Sequence, residues 1–307
     1  MADLTVIILT YNEEKHLARA LASVRPVAAR IVVVDSHSND ATCRIARDAG
    51  ADVLQHDFVN QAQQFNWALE NAGVTTGWVM RLDADEVVED DLAREIETRL
   101  GALGPEIAGI RLRRKHIFLG RWIRWGGRYP VTLLRLWRNG AARSEQRWMD
   151  EHIVLLHGRV VTFRGGFADH NLNDITAFTE KHNRYATREA VEIINQRYGL
   201  FPRDEIMTAG NKLSGPALKR YLKENVYNVA PAVLNATLYF IWRYFLLLGF
   251  LDGKPGFIYH FLQGYWYRVL VEAKVFELER ALAPLSSAEE RLAALARHTG
   301  LPLDKGG

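Results

Sequence analysis

The sequence predicts an α/β protein: a doubly wound, mostly parallel sheet followed by an α-helical, aromatic-rich C-terminal region. Short apolar runs alternate with segments of helical periodicity through residues 1–103, as in doubly wound folds. The connections between these segments are short, and several of the apolar runs end in polar or acidic residues. Such runs are typical of buried parallel strands, whose carboxyl ends open into a ligand-binding crevice.

The N-terminal part contains four predicted strands, at residues 4–9, 30–35, 51–55 and 78–82. The first helix carries Leu17, Leu21 and Val24 at helical spacing, and Asn12 is expected to cap it because two glutamates follow. The other predicted helices of this part cover residues 40–49, 61–72 and 91–103. This regular alternation predicts a parallel sheet with a helix after each strand.

The fourth predicted strand runs directly into a cluster of acids. Asp83 and Asp85 flank the small residue Ala84, so two hard oxygen ligands lie close together. Such a pair suits Mg²⁺ or Mn²⁺ held jointly by protein carboxylates and a substrate diphosphate. The alternative is that these acids only favour the N-terminus of the helix that follows.

Glycine-rich phosphate loops are missing from the sequence. No Gly-x-Gly-x-x-Gly follows a predicted strand, and no Gly-x-x-x-x-Gly-Lys-Ser/Thr occurs, which removes the main support for dinucleotide and P-loop sites. The second strand instead ends in Asp35. Its carboxylate could accept a hydrogen bond from a base or ribose, or it could only stabilise the adjacent turn.

Four motifs in the first ninety residues carry a family resemblance. They are Val6-Ile-Ile-Leu-Thr-Tyr-Asn-Glu-Glu14, Ile31-Val-Val-Val-Asp-Ser36, Asn66 and Leu82-Asp-Ala-Asp-Glu86. In their order and spacing they resemble the family 2 inverting glycosyltransferases. More narrowly, the chain is similar to the branch of lipopolysaccharide-core β-glucosyltransferases, and the segment Gly-Phe-Leu-Asp-Gly at residues 249–253 extends the likeness towards the C-terminus.

The resemblance implies a GT-A fold, a nucleotide-diphosphate sugar donor and a divalent metal, Mg²⁺ or Mn²⁺. It places Asp35 at the base or ribose and Asp83 with Asp85 at the metal and the donor phosphates. The donor site it implies is lined by Thr10, Tyr11, Asn12, Glu13, Asp35, Asn66, Asp83, Ala84 and Asp85. One departure is Phe65, where the family often has a basic residue before the asparagine.

An inverting transfer also needs a carboxylate that removes the proton of the acceptor hydroxyl. Asp150 and Glu151 are the candidates, and the resemblance favours Glu151 because the family most often has a glutamate there. The alternative is an ordinary acidic pair on the surface. In GT-A enzymes a histidine after the last sheet strands can complete the metal shell. His170 is the candidate for that role, and the alternative is a histidine that is only hydrogen-bonded.

The stretch from residue 111 to residue 147 is basic and aromatic, with ten arginines and one lysine against the single acid Glu145. It could recognise sugars by stacking, an anionic membrane or single-stranded nucleic acid, or it could be a solvated rim. The net charge of +3 is too small to indicate nucleic-acid binding, so no nucleic-acid partner is expected. One further strand is predicted within this stretch, at residues 131–138, and another after it, at residues 160–163.

The C-terminal third changes character. Residues 232–251 carry one charge, Arg243, and an aromatic helix is predicted at residues 257–282 after a turn rich in glycine. The first segment is long enough to span a bilayer, but its polar residues favour a helical pair lying in the membrane interface. The alternative is that residues 232–282 bury a homodimer contact.

These observations predict a GT-A catalytic domain over residues 1–200, with a donor half at 1–105 and an acceptor half at 106–200. Residues 201–307 are expected to form the helical membrane-interface or dimer element. The sole cysteine, Cys43, and the absence of a visible secretory signal are typical of a reducing compartment. We therefore expect a glycosyltransferase of the family 2 hexosyltransferase type, cytoplasmic and peripheral on the inner membrane.

The expected acceptor is a glycan or lipid-linked glycan of cell-envelope or lipopolysaccharide-type synthesis. Two other functions stay open. A sugar nucleotidyltransferase of similar fold would need a loop rich in glycine and lysine after the first strand, where this chain has Thr-Tyr-Asn-Glu. A non-catalytic membrane scaffold would need neither Asp85 nor Glu151.

Overall fold

The structure, a computed structural model, describes residues 1–145, 152–201, 232–301 and 303. The chain divides into two compact units, Met1–Leu172 and Asn173–Gly307. The candidate bases Asp150 and Glu151 lie outside the described residues.

In the described part of the first unit, nine strands form one sheet in the order β3-β2-β1-β4-β8-β6-β11-β5, with β7 paired to β6. A second, two-stranded sheet pairs β9 with β10. The strands are β1 Ala2–Thr10, β2 Ala28–Asp35, β3 Asp52–Gln55, β4 Trp78–Asp83, β5 Glu86–Val88, β6 Ile107–Phe118, β7 Arg121–Ile123, β8 Val131–Arg138, β9 Ala142–Ser144, β10 Ile153–Leu155 and β11 Arg159–Asp169. The helices of this unit are α1 Leu17–Val24, α2 Thr42–Asp48, α3 Gln61–Asn71 and α4 Asp90–Arg99, with a 3₁₀ turn at Leu100–Ala102.

The pairing confirms the predicted α/β class with a mostly parallel sheet. Strands β3, β2, β1 and β4 run parallel, and so do β6 and β11. Strands β8 and β5 run antiparallel to their neighbours. The carboxyl ends of β1, β2 and β4 therefore meet at one edge of the sheet, where ligands bind in open α/β sheets.

Strand β1 is buried on both faces because its alternate side chains enter two different cores. Val6 and Ile8 pack in a cluster that includes Leu21 of α1. Ile7 packs on the other face in a cluster that includes Phe65 of α3 and Trp137 of β8. All six side chains are at most 2% exposed, which explains why this strand is a continuous apolar run in the sequence.

The first helix begins later than predicted, and Asn12 does not cap it. Helix α1 starts at Leu17 with His16 at the N-cap position. Asn12 adopts the left-handed conformation with φ 54°, and its side-chain oxygen accepts a hydrogen bond from the Asn39 backbone N–H at 3.0 Å. This conformation turns the chain before the helix begins, and asparagine tolerates it better than most residues.

The structure also contains strands that the sequence did not predict. The longest is β6, which carries arginines at 111, 113 and 114 and Lys115 between its apolar positions. These basic residues hide the alternation by which a half-buried strand is recognised. Strand β11 is likewise longer than the predicted segment, 160–163.

The second unit contains α5 Ile175–Tyr198, α6 Ala232–Ile241, α7 Gly253–Tyr259, α8 Tyr267–Leu282 and α9 Ala288–Thr299. Trp242–Leu246 and His260–Trp266 are π-helical, and Gly249–Asp252 is a 3₁₀ turn. The core of the unit joins α5 to α8 and α9 through Ile194, Val275 and Leu295. Helix α5 thus packs in the helical unit, although its residues fall within the predicted catalytic domain of residues 1–200. The functional domain limits stay a prediction.

The long aromatic C-terminal segment is interrupted rather than continuous. Among the described residues, no single helix is long and apolar enough to cross a membrane. Val233–Leu246 and Gly249–Leu282 satisfy those two criteria only when taken together, and they meet at an angle of 71°.

Candidate active site

The acids at the end of β4 meet two arginines. Arg135 of β8 donates from one nitrogen to Asp83 Oδ2 at 3.0 Å and to Glu86 Oε1 at 2.7 Å. Arg81 donates to the other oxygen of Asp83 at 3.3 Å, and the Asp83 backbone N–H donates to Glu86 Oε2 at 2.9 Å. Arg81, Glu86 and Arg135 are all buried. The strand end is therefore a compact network of two acids and two arginines.

This network shifts the ionisation of its members in opposite directions. Burial raises the pKa of the Asp83 carboxyl, but the Arg135 and Arg81 guanidinium groups outweigh burial and hold that pKa well below its ordinary value. For Glu86 burial is the larger effect, and with the Asp83 charge it raises the pKa well above the ordinary value despite Arg135. The two acids together raise the pKa of Arg135. Asp83 is thus a carboxylate that is already engaged by protein cations.

Asp85 lies in a different environment. Its carboxylate accepts a hydrogen bond from the Asn171 side-chain amide at 2.9 Å, and its backbone carbonyl accepts one from the His170 backbone N–H at 3.0 Å. Neither Asp83 nor Asp85 caps the next helix, since α4 begins at Asp90 and its first turn holds Asp90 and Asp91. The capping alternative is therefore wrong for the Asp83–Asp85 pair.

The predicted three-ligand metal set is not assembled by protein side chains. Within the described part of the chain, no three His, Cys, Asp or Glu side chains come together in an arrangement that could hold a metal ion. Asp83 is engaged by Arg81 and Arg135, and the Nδ1 atom of His170 lies 3.2 Å from Arg19. Burial and the Arg19 charge lower the pKa of His170, which favours the neutral imidazole.

The residues present nevertheless fit a divalent metal ion that takes most of its ligands from the substrate. Mg²⁺ and its analogues are commonly bound by one or two carboxylates together with substrate phosphates and water. Asp85 supplies such a carboxylate at the edge where the parallel strands end. The side chains of His170 and Asn171 lie on the segment hydrogen-bonded to it.

Helix α1 and the turn before it hold the segment that follows β11. The Leu172 backbone N–H donates to His16 Nε2 at 2.9 Å, so Nδ1 of this buried histidine carries the hydrogen and donates to Glu13 at 2.6 Å. Arg19 donates to the His170 carbonyl at 2.9 Å. Together with Asp85, these contacts fix the segment from residue 170 to residue 172 beside the strand-end acids.

The nucleotide side of the predicted site is formed by the ends of β1 and β2. Asp35 is fully buried and accepts hydrogen bonds from the Thr10 hydroxyl at 2.9 Å, the Ser38 backbone N–H at 2.8 Å and the Ser38 hydroxyl at 2.5 Å. Burial raises the pKa of Asp35, but the hydrogen bonds from Ser38, Cys43 and Thr10 together bring it below the ordinary value. Tyr11, by contrast, is 60% exposed. The Asp35 oxygens accept hydrogen bonds from Thr10 and from the turn after β2. A contact between Asp35 and a ligand stays a prediction.

Asn66 fixes the backbone at the end of strand β9. Its side-chain amide donates to the Ser144 carbonyl at 2.9 Å, and its oxygen accepts from the Ser144 backbone N–H at 2.8 Å. Its role at the donor stays a prediction. The neighbouring Phe65, where the family often has a basic residue, packs under the Arg81 guanidinium with 5.3 Å between charge and ring centroid. Arg81 thus brings a positive charge from strand β4 to the side chain of Phe65 on helix α3.

Sequence reasoning did not identify Arg81, Glu86 or Arg135 as members of the site. The available signal was the position of Arg81 inside an otherwise apolar strand, since a buried arginine requires an acidic partner. Arg135 is likewise a buried arginine between apolar residues, in strand β8. Which acids they meet follows only from the order of strands in the sheet.

The chain was compared with known families and proteins. Residues 5–165, more than half of the chain, match the family described as Glycosyl transferase family 2. A relative from Rickettsia typhi, named as an uncharacterised glycosyltransferase, is 35% identical over 97 residues, 32% of this chain and 32% of the relative. A TPR repeat-containing protein of Synechococcus elongatus is 31% identical over 142 residues, 45% of this chain and 32% of the relative. The matched part thus spans about a third of the length of these curated relatives.

Among solved structures, glucosyl-3-phosphoglycerate synthase from Mycobacterium tuberculosis, in complex with Mn²⁺, UDP and glucosyl-3-phosphoglycerate, is similar in part. It is 19% identical, and the match covers 37% of this chain and 43% of that chain with a TM-score of 0.30. A likeness this weak supports no conclusion about this chain.

Proposed function

Because the chain belongs to glycosyl transferase family 2, we propose that it transfers a sugar from a nucleotide-diphosphate donor to an acceptor hydroxyl. The observation that carries the proposal is the placement of Asp85 at the carboxyl end of β4. There it is hydrogen-bonded to His170 and Asn171. Asp85 lies within the residues that match the family, and the other two lie just beyond them.

The donor nucleotide is placed along the ends of β1 and β2, against Thr10, Tyr11, Asn12 and Glu13. The turn between β2 and α2 supports this assignment, because Ser38 and Asn39 tie it to Asn12 and fix the shape of that edge. Asp35 contributes by holding Thr10 and Ser38 in place.

A divalent metal, Mg²⁺ or Mn²⁺, is assigned to Asp85, with the diphosphate of the donor supplying further oxygen ligands. When bound, such an ion neutralises charge that develops on the departing nucleoside diphosphate. Asp83 orients Arg81 and Arg135 at the same strand end, and these guanidinium groups add positive potential there.

Glu151, with Asp150 as the second candidate, acts as the general base in this proposal. It removes the proton of the acceptor hydroxyl as that oxygen attacks the anomeric carbon from the face opposite the diphosphate, inverting its configuration. The acidic pair follows β9 in the sequence, and the family most often has a glutamate at this point, which supports Glu151 as the first candidate.

The acceptor is proposed to be a glycan or lipid-linked glycan of cell-envelope polysaccharide or lipopolysaccharide-type synthesis. The β6–β7 hairpin offers a surface suited to sugars, in which the Arg124 guanidinium packs over Trp122 and Trp125 and Lys115 also lies over Trp122. Aromatic faces stack on sugar rings, and the cations suit anionic substituents. We place the enzyme on the cytoplasmic face of the inner membrane, where a lipid-linked acceptor is met in two dimensions.

The test is calorimetric titration of the full chain with UDP, GDP, dTDP and CMP, with Mn²⁺ and then with EDTA. The proposal expects one nucleoside diphosphate to bind in a metal-dependent way, which also identifies the base of the donor. If no nucleotide binds under either condition, the proposal is wrong and a non-catalytic scaffold becomes the leading function.

A further inference from the structure

The bent helical pair, residues 233–266, exposes mainly apolar side chains and buries several of its ionisable ones. From residue 233 to residue 261, every exposed position is a large apolar side chain except Gly253 and Lys254. The exposed apolar residues are Val233, Leu234, Leu238, Ile241, Trp242, Phe245, Leu246, Leu248, Phe250, Leu251, Phe257 and Phe261. A protein surface that meets water mixes polar and apolar groups far more evenly.

The charged and polar groups of this pair are inside. Arg243, Asp252 and His260 are each at most 2% exposed. Arg243 donates to the Gln263 side chain at 2.7 Å, and its guanidinium packs over Tyr239 at 5.4 Å from the ring centroid. This hydrogen bond joins the first arm of the pair to the second. Ionisable residues facing the interior, with apolar residues outside, are the arrangement found where the surroundings are hydrocarbon.

The two arms approach closely at glycines. A β-carbon on Gly249, where the second arm begins, would lie 2.9 Å from the Arg243 carbonyl oxygen of the first arm. One on Gly264 would lie 3.5 Å from the Arg243 guanidinium and 3.8 Å from the Tyr239 ring. The chain bends at Leu248, which has a φ of 60°, just before Gly249. The close contacts keep the arms as one bent element whose 71° angle prevents it from crossing a bilayer as a straight helix.

The outward surface matches lipid better than a second copy of the chain. In the exposed set only Trp242 and Lys254 carry a hydrogen-bond donor on the side chain, whereas protein interfaces contain about one hydrogen bond per 100–200 Å² and a polar rim. Tryptophan and lysine are the residues that lie at the boundary between headgroups and acyl chains. Lys254 also supplies the positive charge that lipid phosphates attract.

We propose that residues 233–261 insert as a bent, monotopic element into the headgroup and acyl-chain boundary of one leaflet. The Arg243–Gln263 hydrogen bond holds the two arms together, and both ends of the element stay on the same side of the membrane. The proposal rests on the membrane association proposed above and names the surface that makes it; donor binding does not depend on it.

The first experiment is flotation of the full chain with vesicles of phosphatidylcholine, alone or mixed with phosphatidylglycerol. The wild-type chain is expected to float with both kinds of vesicle. The double variant Phe245→Ser with Leu246→Ser should lower the partition coefficient at least about tenfold, because two large apolar side chains no longer enter the bilayer. Phe276→Ser is the matched control, since Phe276 is 63% exposed but lies beyond the element; it should float as the wild type does.

The depth of insertion, and the side of the membrane on which each end of the element lies, distinguish monotopic binding from a transmembrane span. Brominated lipids should quench tryptophan fluorescence in the wild type and quench it less in Trp242→Phe. With Cys43→Ser as background, cysteines introduced at Glu180 and Ala288 should both react with an impermeant maleimide outside sealed vesicles, while one at Leu246 should be protected. Labelling of only one end would overturn the monotopic arrangement.

Two further outcomes would contradict the proposal. If the wild type floats only with anionic vesicles, the contact is electrostatic rather than apolar. If it floats with neither kind and sediments as a dimer that the double variant converts to a monomer, the surface is covered by a second copy. Nucleotide titration of the double variant in detergent keeps the proposals separate, because it should bind the donor nucleotide as the wild type does.

Discussion

Arg135 bridges two acids at the end of β4 from a single guanidinium nitrogen, 2.7 Å from Glu86 Oε1 and 3.0 Å from Asp83 Oδ2. The contact divides the Asp-Ala-Asp motif into two parts with different chemistry. Asp83 is neutralised by protein cations, whereas Asp85 is hydrogen-bonded to the segment that follows β11. We infer that the first acid organises the strand end and the second holds the metal.

Replacing Asp85 should therefore abolish metal-dependent donor binding. For Asp85→Asn we expect kcat to fall at least about a hundredfold, because charge on the leaving diphosphate loses its stabilisation. Calorimetry with and without Mn²⁺, together with donor turnover, measures both effects. Asp90→Asn, an exposed acid in the first turn of α4, is the control and should bind as the wild type does. Unchanged metal-dependent binding by Asp85→Asn would assign the metal elsewhere.

Replacing Arg135 should chiefly lower stability. In Arg135→Met the partly buried Asp83 and the buried Glu86 lose their shared partner, and we expect the free energy of unfolding to fall by about 3–5 kcal/mol. Urea unfolding measures this change. Arg111→Met, an exposed arginine on β6, is the matched control and should lie within about 0.5 kcal/mol of the wild type. Adding Glu86→Gln to Arg135→Met should recover part of the loss, and a failure to do so would argue against an uncompensated buried charge.

Asp35 should make the protein sensitive to acid. Its pKa in the folded protein lies below the ordinary value of 3.8, so its ionised form stabilises the fold above pH 3.8. That contribution is lost as the pH falls through the lower, folded-state pKa. In Asp35→Asn the free energy of unfolding should therefore fall less steeply with pH over this range than in the wild type.

Urea titrations at a series of pH values measure that slope. Asp48→Asn, an exposed acid in α2, is the control and should keep the wild-type slope. If Asp35→Asn also keeps it, the hydrogen bonds from Thr10 and Ser38 do not favour the ionised carboxyl.

The two candidate bases can be separated by kinetics. Glu151→Gln should lower kcat by about 10²–10⁴-fold and leave the affinity for the donor nucleotide unchanged, because a general base acts on the acceptor. Asp150→Asn should have a much smaller effect. Steady-state rates with saturating donor, paired with nucleotide titration, measure the difference. The reverse order of effects would make Asp150 the base.

The sequence predicted β1, β2, β3, β4, β8 and part of β11 because each contains a short, mostly apolar run bounded by turn residues. It did not predict β6, since basic side chains occupy consecutive positions of that strand and conceal its period. The acids of the candidate site were predicted for a similar reason: they follow a recognisable strand. Their partners were not, because Arg135 lies 52 residues from Asp83 and reaches it only through the pairing of β8 with β4.

The same limit explains Asn66. Its position before an acidic motif suggests a ligand contact, whereas its amide is occupied by Ser144, 78 residues further along. A short motif identifies the residue type that a site needs. It does not identify which backbone segment the fold brings against that residue.

The pairing of β5 with β11 has a consequence for synthesis of the chain. Strand β5 directly follows Asp85, and β11 is its neighbour at that end of the main sheet. The four N-terminal family motifs have been translated by residue 86, yet the Asp85 contacts with His170 and Asn171 form only after residue 171 has been translated. At about 5–20 residues per second, the nascent chain spends several seconds with its acidic motif complete and unsupported. During that interval a truncated product would carry the signature of the family without the geometry of the site.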